Sequence, residues 1–532
     1  MRAVLAGGFI LFTHDGIPVR RLILHSIWAA PCVAGLLTGC AHYERRELTL
    51  ERFAESWPGQ ALDVPTVRAY YGALPERRGA QHIASFDVDD GVSLAEAEAI
   101  ALHFNPDLRQ SRAAAGVPLA SAEEAGWWPD PQFQAGVLRF VNRGGRPGGF
   151  KFDNGSFDGV NSRALATGGL NNNSVERTPP GFRRIDGGNY VNNPWIVNAS
   201  LSVTLPISGR LAVEQDARWA DYTVAWRDVA IAEWALLVEL RSAWFAWSVT
   251  EERLALSRDY AERIGAAAEI ANRLASVGEL KTTDARVLEI ERARIRTTIQ
   301  ALENTLAQQR LELLAMMGVA PNAPAQLVPA IFQTDVDVAR PDREAALLAK
   351  HPRVLSAKAA YEAAEQSLRL EIRRQYPDLN LGPSFSIEEG LSRAGLGIGL
   401  PLPLWNRNRQ GIAEAYAERE AAQARSERVV QKVIGELASV ETRLAYADER
   451  LTLLKTELAP LVDRQISETR TLLDLGEIDV LVLREALRAS LEAKLDILDA
   501  TLARAQAANA LEQMLAPRWV AASRADRAED SE

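Results

Sequence analysis

The sequence predicts a mainly α-helical fold: long coiled-coil helices with four β-strands that contribute to a small membrane β-barrel, arranged as an internal tandem repeat. Three observations predict it. The first is a change of period at residues 395–416, GLGIGLPLPLWNRNRQGIAEAY. Before Pro401, Ala394, Leu396, Ile398 and Leu400 alternate with Gly395, Gly397 and Gly399, the period of a strand, and after Gly411 the text is Ala-rich, charged and helical. The second is that this hinge recurs at residues 201–212, LSVTLPISGRLA, with Pro206 in the place of Pro403. Pro106 and Pro131 match Pro352 and Pro377 at a shift of 246, and Gly278-Glu279 matches Gly476-Glu477 at a shift of 198. The two shifts differ by 48 residues, extra sequence that falls between the first two strands. The third is that no run beyond residue 40 approaches the ~20 apolar residues of a membrane helix, so any crossing downstream is by strands.

The elements follow in order. Arg20 and Arg21 precede an apolar run over 22–37, which makes 1–39 a secretory signal. Residues 40–92 have no clear period and read as a strap lying on the rest. The first repeat spans 93–318. It opens with a short helix from Ser93, then a helix with Asn105 as N-cap and Pro106 at its first position, kinked at Pro118. Strands follow at about 132–140 and 195–205, the second alternating Trp195, Val197, Ala199, Leu201 and Val203 with Asn198, Ser200, Ser202 and Thr204. Between them lies an insertion, 138–194, dominated by glycine and asparagine, too poor in apolar residues to fold alone.

Residues 210–277 hold no proline and one glycine, Gly265, which as helix extends roughly 100 Å at ~1.5 Å per residue. Gly278 then stands in the position of a C-terminal cap, as Gly476 does in the second repeat. A linker, 319–343, carries Pro321, Pro324, Pro329 and Pro341. The second repeat, 344–516, has strands at about 379–388 and 392–400, a helix over 412–475 kinked at Pro460, and a return helix over 479–515. The tail, 517–532, is charged and reads as disordered. Each strand has about the ~9 to 11 residues needed to cross a bilayer at a tilt, yet barrels need at least about eight strands, so other copies of the chain must supply the remainder.

Composition excludes several functions. A net charge of −10 gives no reason to expect nucleic acid. Both cysteines, Cys32 and Cys40, lie in the first forty residues, so nothing downstream forms a disulfide or a cysteine metal site. His103 and His351 read as helix-end or packing residues, and no two histidines stand as a ligand pair at helical spacing. With no nucleophile, base and orienter in view, the reading is not an enzyme, with no catalytic residues, no metal site and no cofactor. A periplasmic coiled-coil scaffold without a pore is the bland alternative, but it would not need alternating strands.

Over residues 93–515 the chain resembles the TolC-type outer-membrane efflux proteins. The likeness is carried by NPDL at 105–108, PDPQF at 129–133, both strand-Pro-helix hinges, and the glycine turns RLASVGEL and TLLDLGEI. EAGWWPDPQF and LPLWNRNRQGIAEA are most similar to the heavy-metal branch, the CzcC and CusC type, although WWPDP stands where that branch has a PNP-like sequence. The resemblance implies a homotrimer in a Gram-negative outer membrane, with twelve strands closing one barrel and twelve helices forming a periplasmic tunnel. It also implies a periplasmic adaptor at the helix tips and an inner-membrane pump, of the proton-driven RND type, that exports small solutes or metal cations. A type I secretion exit duct is the alternative within the class. Residues 37–40, LTGC, resemble the lipobox, which implies acyl chains such as palmitate on Cys40; a plain signal peptide cut at a small residue is the other reading. The adaptor-side tips are Val277, Gly278 and Leu280 with Leu475, Gly476 and Ile478, and a periplasmic gate is expected at Asp284 and Glu485. The insertion is expected outside the cell, since barrels keep their long loops there.

Overall fold

A computed structural model describes residues 43–73, 86–139, 150–152, 182–184, 195–330, 343–388, 391–474 and 479–515. The signal, Cys40, most of the insertion, residues 331–342 of the linker, the turn at 475–478 and residues 516–532 lie outside the described residues. The chain divides into two units, residues 1–57 and 58–532. In the first, helix α1 (Leu50–Ser56) buries no residue. Everything below concerns the second.

Part of the expected strap is helical and packed. Helix α2 (Pro65–Ala73) places Val67 fully inside a core with Val92, Leu94 and Ile100, and Tyr71 sets its ring edge-on to Phe86 at 5.6 Å. Helix α3 (Leu94–Phe104) starts with a capping box: Ser93 Oγ accepts from the Glu96 amide while Glu96 Oε2 accepts from the Ser93 amide at 2.8 Å. Asn105 caps helix α4 (Pro106–Glu123) by accepting from Leu108 N at 2.9 Å. Helix α4 continues past Pro118; Ala114, whose carbonyl loses its partner there, is exposed, so water can replace the missing donor.

Six strands are described: β1 (Gln132–Arg139), β2 (Phe150–Phe152), β3 (Phe182–Arg184), β4 (Trp195–Leu205), β5 (Leu379–Glu388) and β6 (Leu391–Gly399). Strands β2 and β3, inside the insertion, pair antiparallel with each other, which the composition did not foretell. The other four form one antiparallel sheet in the order β1-β4-β5-β6. Its register sorts the side chains by face. Phe133 opposes Leu201, Ala199 opposes Phe385, and Leu381 opposes Ile398, whereas Gln134 opposes Ser200, Ser200 opposes Ser384, and Gly382 opposes Gly397. Directly paired residues share a face, so one face is mainly apolar, apart from Arg139 and Ser392, and the other is mainly polar or glycine, apart from Leu138, Ile196 and Leu391. The apolar face is uncovered: Phe133 and Leu396 are each 68% exposed and Ile398 69%.

Each hinge turns through left-handed backbone. Gly209 (φ 70°) precedes helix α5 (Arg210–Ser276), and Arg407 (φ 45°) and Asn408 (φ 52°) precede helix α9 (Arg409–Leu453). Helix α5 runs unbroken for 67 residues and returns as helix α6 (Thr282–Met316). After helices α7 (Arg343–Lys350) and α8 (Pro352–Arg373), the second long helix is interrupted. A π turn at Leu454–Leu458 separates α9 from helix α10 (Ala459–Asp474), and helix α11 (Val480–Leu515) returns. Pro460 explains the break, because it cannot donate to the carbonyl four residues back.

Four clusters of buried side chains lie along these helices. The largest joins Leu240, Trp244 and Phe245 of α5 to Leu313 and Leu314 of α6 and Ala505 of α11. Beside it Arg241, 1% exposed, pairs with Glu98 of α3 and lies 3.9 Å from Glu512 of α11.

Candidate functional site

The turn between α5 and α6 is built by Gly278 (φ 83°), a conformation that side chains with a Cβ rarely adopt, with Glu279 N donating to Leu274 O at 3.0 Å. Val277 is 70% exposed at this tip. Leu280 is turned the other way, into an apolar cavity of about 660 Å³ that it lines with Ile270, Leu274, Ile466, Leu483 and Leu487. The expected tip residues of the first repeat are thus divided between solvent and cavity. Leu475, Gly476 and Ile478 lie outside the described residues.

Asp284 sits in the first turn of α6, where a helix N-terminus favours negative charge, and accepts from Thr283 Oγ1 at 3.3 Å. Glu485, on the exposed side of α11, lies 3.5 Å from Arg484 Nη2. One acid is therefore held by its helix end and the other by a neighbouring guanidinium. Among the described residues, no group of three or more His, Cys, Asp or Glu is placed to hold a metal ion, and no helix is long and apolar enough to cross a membrane.

The two N-cap residues related by the 246-residue shift are Asn105 and His351. Asn105 donates its amide to Met316 O at 2.8 Å, tying the start of α4 to the end of α6. His351, 0% exposed, accepts from Arg353 N at 3.3 Å through Nδ1, so its proton is on Nε2, which has no hydrogen-bond partner among the described residues. Burial, then the adjacent Arg353, pushes its pKa down to about 4. His103 is also pushed down, by burial and then by Arg112 and Arg109. Both histidines are at helix ends and among aromatic rings: His103 lies 4.5 Å from the Phe104 ring, and His351 lies 5.1 Å from that of Trp234.

The helix, two strands, long helix and return helix of the first repeat recur in the same order in the second. Residues 345–516, which hold α8, β5, β6, α9, α10 and all of α11, match the family described as outer membrane efflux protein. The match lies within the second repeat. The chain is similar to the cobalt-zinc-cadmium resistance protein CzcC of Cupriavidus metallidurans, with 22% identity over 325 residues, or 60% of this chain and 76% of CzcC. Solved structures share the fold at low identity. The outer-membrane channel OprN superposes with a TM-score of 0.61 at 16% identity, covering 80% of this chain and 90% of that one. CusC gives 0.60 at 15%, covering 83% and 99%, and the open-state Neisseria gonorrhoeae MtrE outer membrane channel gives 0.59 at 16%, covering 83% and 97%.

Two features escaped the sequence reading. The cavity is formed where α5, α6, α10 and α11 meet, and its lining residues Ile270 and Leu274 look like any i,i+4 apolar pair. The buried Arg241 was one arginine among many on a charged helix; its only signal was its place between Leu240 and Trp244.

Proposed function

We propose that the protein is a passive export duct of the outer membrane, closed by three copies of the chain. A single observation carries this reading: a sheet with one uncovered, mainly apolar face, one mainly polar and glycine face, and two strands, β1 and β6, at its edges among the described residues. Lipid suits the first face and a watery lumen the second. The long helices extend the duct into the periplasm, where the Gly278 and Gly476 turns meet an adaptor and an inner-membrane pump supplies the energy. Metal cations are the proposed cargo, on the strength of the likeness to CzcC. Cys40 is proposed as the acylated residue of the mature N-terminus, which mass spectrometry reads directly. The insertion is placed outside the cell.

The internal repeat states which residues meet between copies. Ser200 opposes Ser384 within the chain. Shifts of 197, from Pro206 to Pro403, and of 246 carry that pair to Gly397 and Leu138 of the next copy. In a Cys40→Ser background, Leu138→Cys with Gly397→Cys should give disulfide-linked chains up to a trimer, with single-channel conductance in planar bilayers. Crosslinks absent under oxidation, with both cysteines reactive to a small maleimide, would exclude this closure.

A further inference from the structure

The strand-to-helix turn is made twice in this chain, and the second version is longer. Pro206 is followed by its left-handed residue at Gly209, whereas Pro403 is followed by the second of its two at Asn408, two residues later in relative position. The added length carries side chains that the turn itself does not require, since the first hinge manages with Ile207, Ser208 and Gly209. Arg407 and Asn408 occupy left-handed backbone where glycine would be less strained. The Asn408 amide is used within the fold, donating to Glu371 O at 2.9 Å and Glu371 Oε2 at 2.7 Å. Arg407 donates Nε to Pro403 O at 3.2 Å, and its terminal nitrogens have no carboxylate partner among the described residues.

Arg407, Arg374 and Asn406 line an open cavity of about 440 Å³ whose walls include Leu402, Leu404 and Trp405. Trp405 is 85% exposed. The chemistry along the stretch is graded: exposed Leu400, Leu402 and Leu404 continue from the apolar face of β6, then comes Trp405, then Arg407 and Arg409. At a lipid boundary this is the order of acyl chain, interface and phosphate. Glu371 is the nearby carboxylate, and its oxygens are already engaged by Arg374 at 2.5 Å and by Asn408. The cavity therefore offers donors and positive charge beside exposed apolar surface, which suits an anion attached to a hydrocarbon chain.

We propose that this second hinge binds the phosphate of an anionic phospholipid, with Arg407 and Arg374 on the phosphate and Trp405 and Leu404 along the upper acyl chain. The inference rests on the reading of the sheet as a wall in the outer membrane. The test uses the full chain purified in detergent, with phosphatidylglycerol retention counted by native mass spectrometry. Arg407→Gly eases the backbone, so the fold should persist while lipid retention weakens about fivefold for the one lost cation. Equal retention by wild type and Arg407→Gly would overturn the proposal. Inorganic phosphate that displaces the lipid at equal concentration would make this a free-anion site and overturn it too. So would acrylamide shielding of Trp405, read against Trp405→Phe, that follows protein concentration and ignores lipid, because the hinge would then be a contact between copies. Fractionation of the wild-type chain away from the outer membrane would instead sink the channel reading, a result separate from lipid retention in detergent.

Discussion

Replacing His351 by asparagine, the residue at the equivalent cap Asn105, should remove a specific sensitivity to acid. In the folded chain the imidazole is fully buried, accepts a hydrogen bond through Nδ1 at a helix N-terminus, and neighbours Arg353. Protonation would cost the cap bond and place a cation at the positive end of the helix dipole. Burial, then the Arg353 charge, lowers the pKa from 6.5 to about 4. Between those values the unfolded chain binds a proton that the folded chain does not, so stability rises with pH there and is lost as pH falls through that window. The full shift corresponds to about 3 kcal/mol, of which about 2 kcal/mol is lost between roughly pH 7 and roughly pH 4.5. Urea unfolding at both pH values, for wild type and His351→Asn, isolates this contribution, because the other titrating groups are common to both proteins. The wild type should lose about 2 kcal/mol more than the variant. Equal losses, or an imidazole resonance assigned to His351 that titrates near the ordinary value, would refute the reasoning.

Other changes are as specific. Gly382→Ala should disrupt the sheet, since its Cβ would collide with the backbone carbonyl of Leu201, whereas Gly136→Ala should be tolerated, because the Cβ there meets only the movable Asn198 side chain; strand content by infrared spectroscopy separates the two. Glu98→Gln leaves Arg241 buried without its main counter-ion and should cost about 3 kcal/mol or more in urea unfolding, while the exposed pair partner change Asp259→Asn should cost well under about 1 kcal/mol. Asp284→Ala with Glu485→Ala should reduce cation preference in bilayer recordings, and an unchanged reversal potential would remove both from the gate.

The elements that sequence made legible are those fixed by local chemistry. Strands β4 and β5 run between the residues expected from their alternation, and α5 begins at Arg210, just after a left-handed glycine. Asn105 and Gly278 act where their cap chemistry placed them. What could not be read depends on contacts between distant segments. The cavity needs α5, α6, α10 and α11 to meet at particular faces, and no residue in any one of them records that meeting. The pairing of β2 with β3 joins short runs about thirty residues apart in a stretch without alternation. The division of Val277 from Leu280 follows from which way the five-residue turn 277–281 points, and the apolar character of both residues gave them the same reading.

The π turn at Leu454–Leu458 has a mechanical consequence. A continuous α-helix resists bending through its uniform ladder of hydrogen bonds, and α5 has that ladder over all 67 residues. Its counterpart is two rods, α9 and α10, joined by a widened turn next to a proline that cannot complete the ladder. A sideways load applied at the far ends of the two hairpins would be stored unequally: the first would act as a stiff spar, and the second would flex at one point, with α10 as the lever arm.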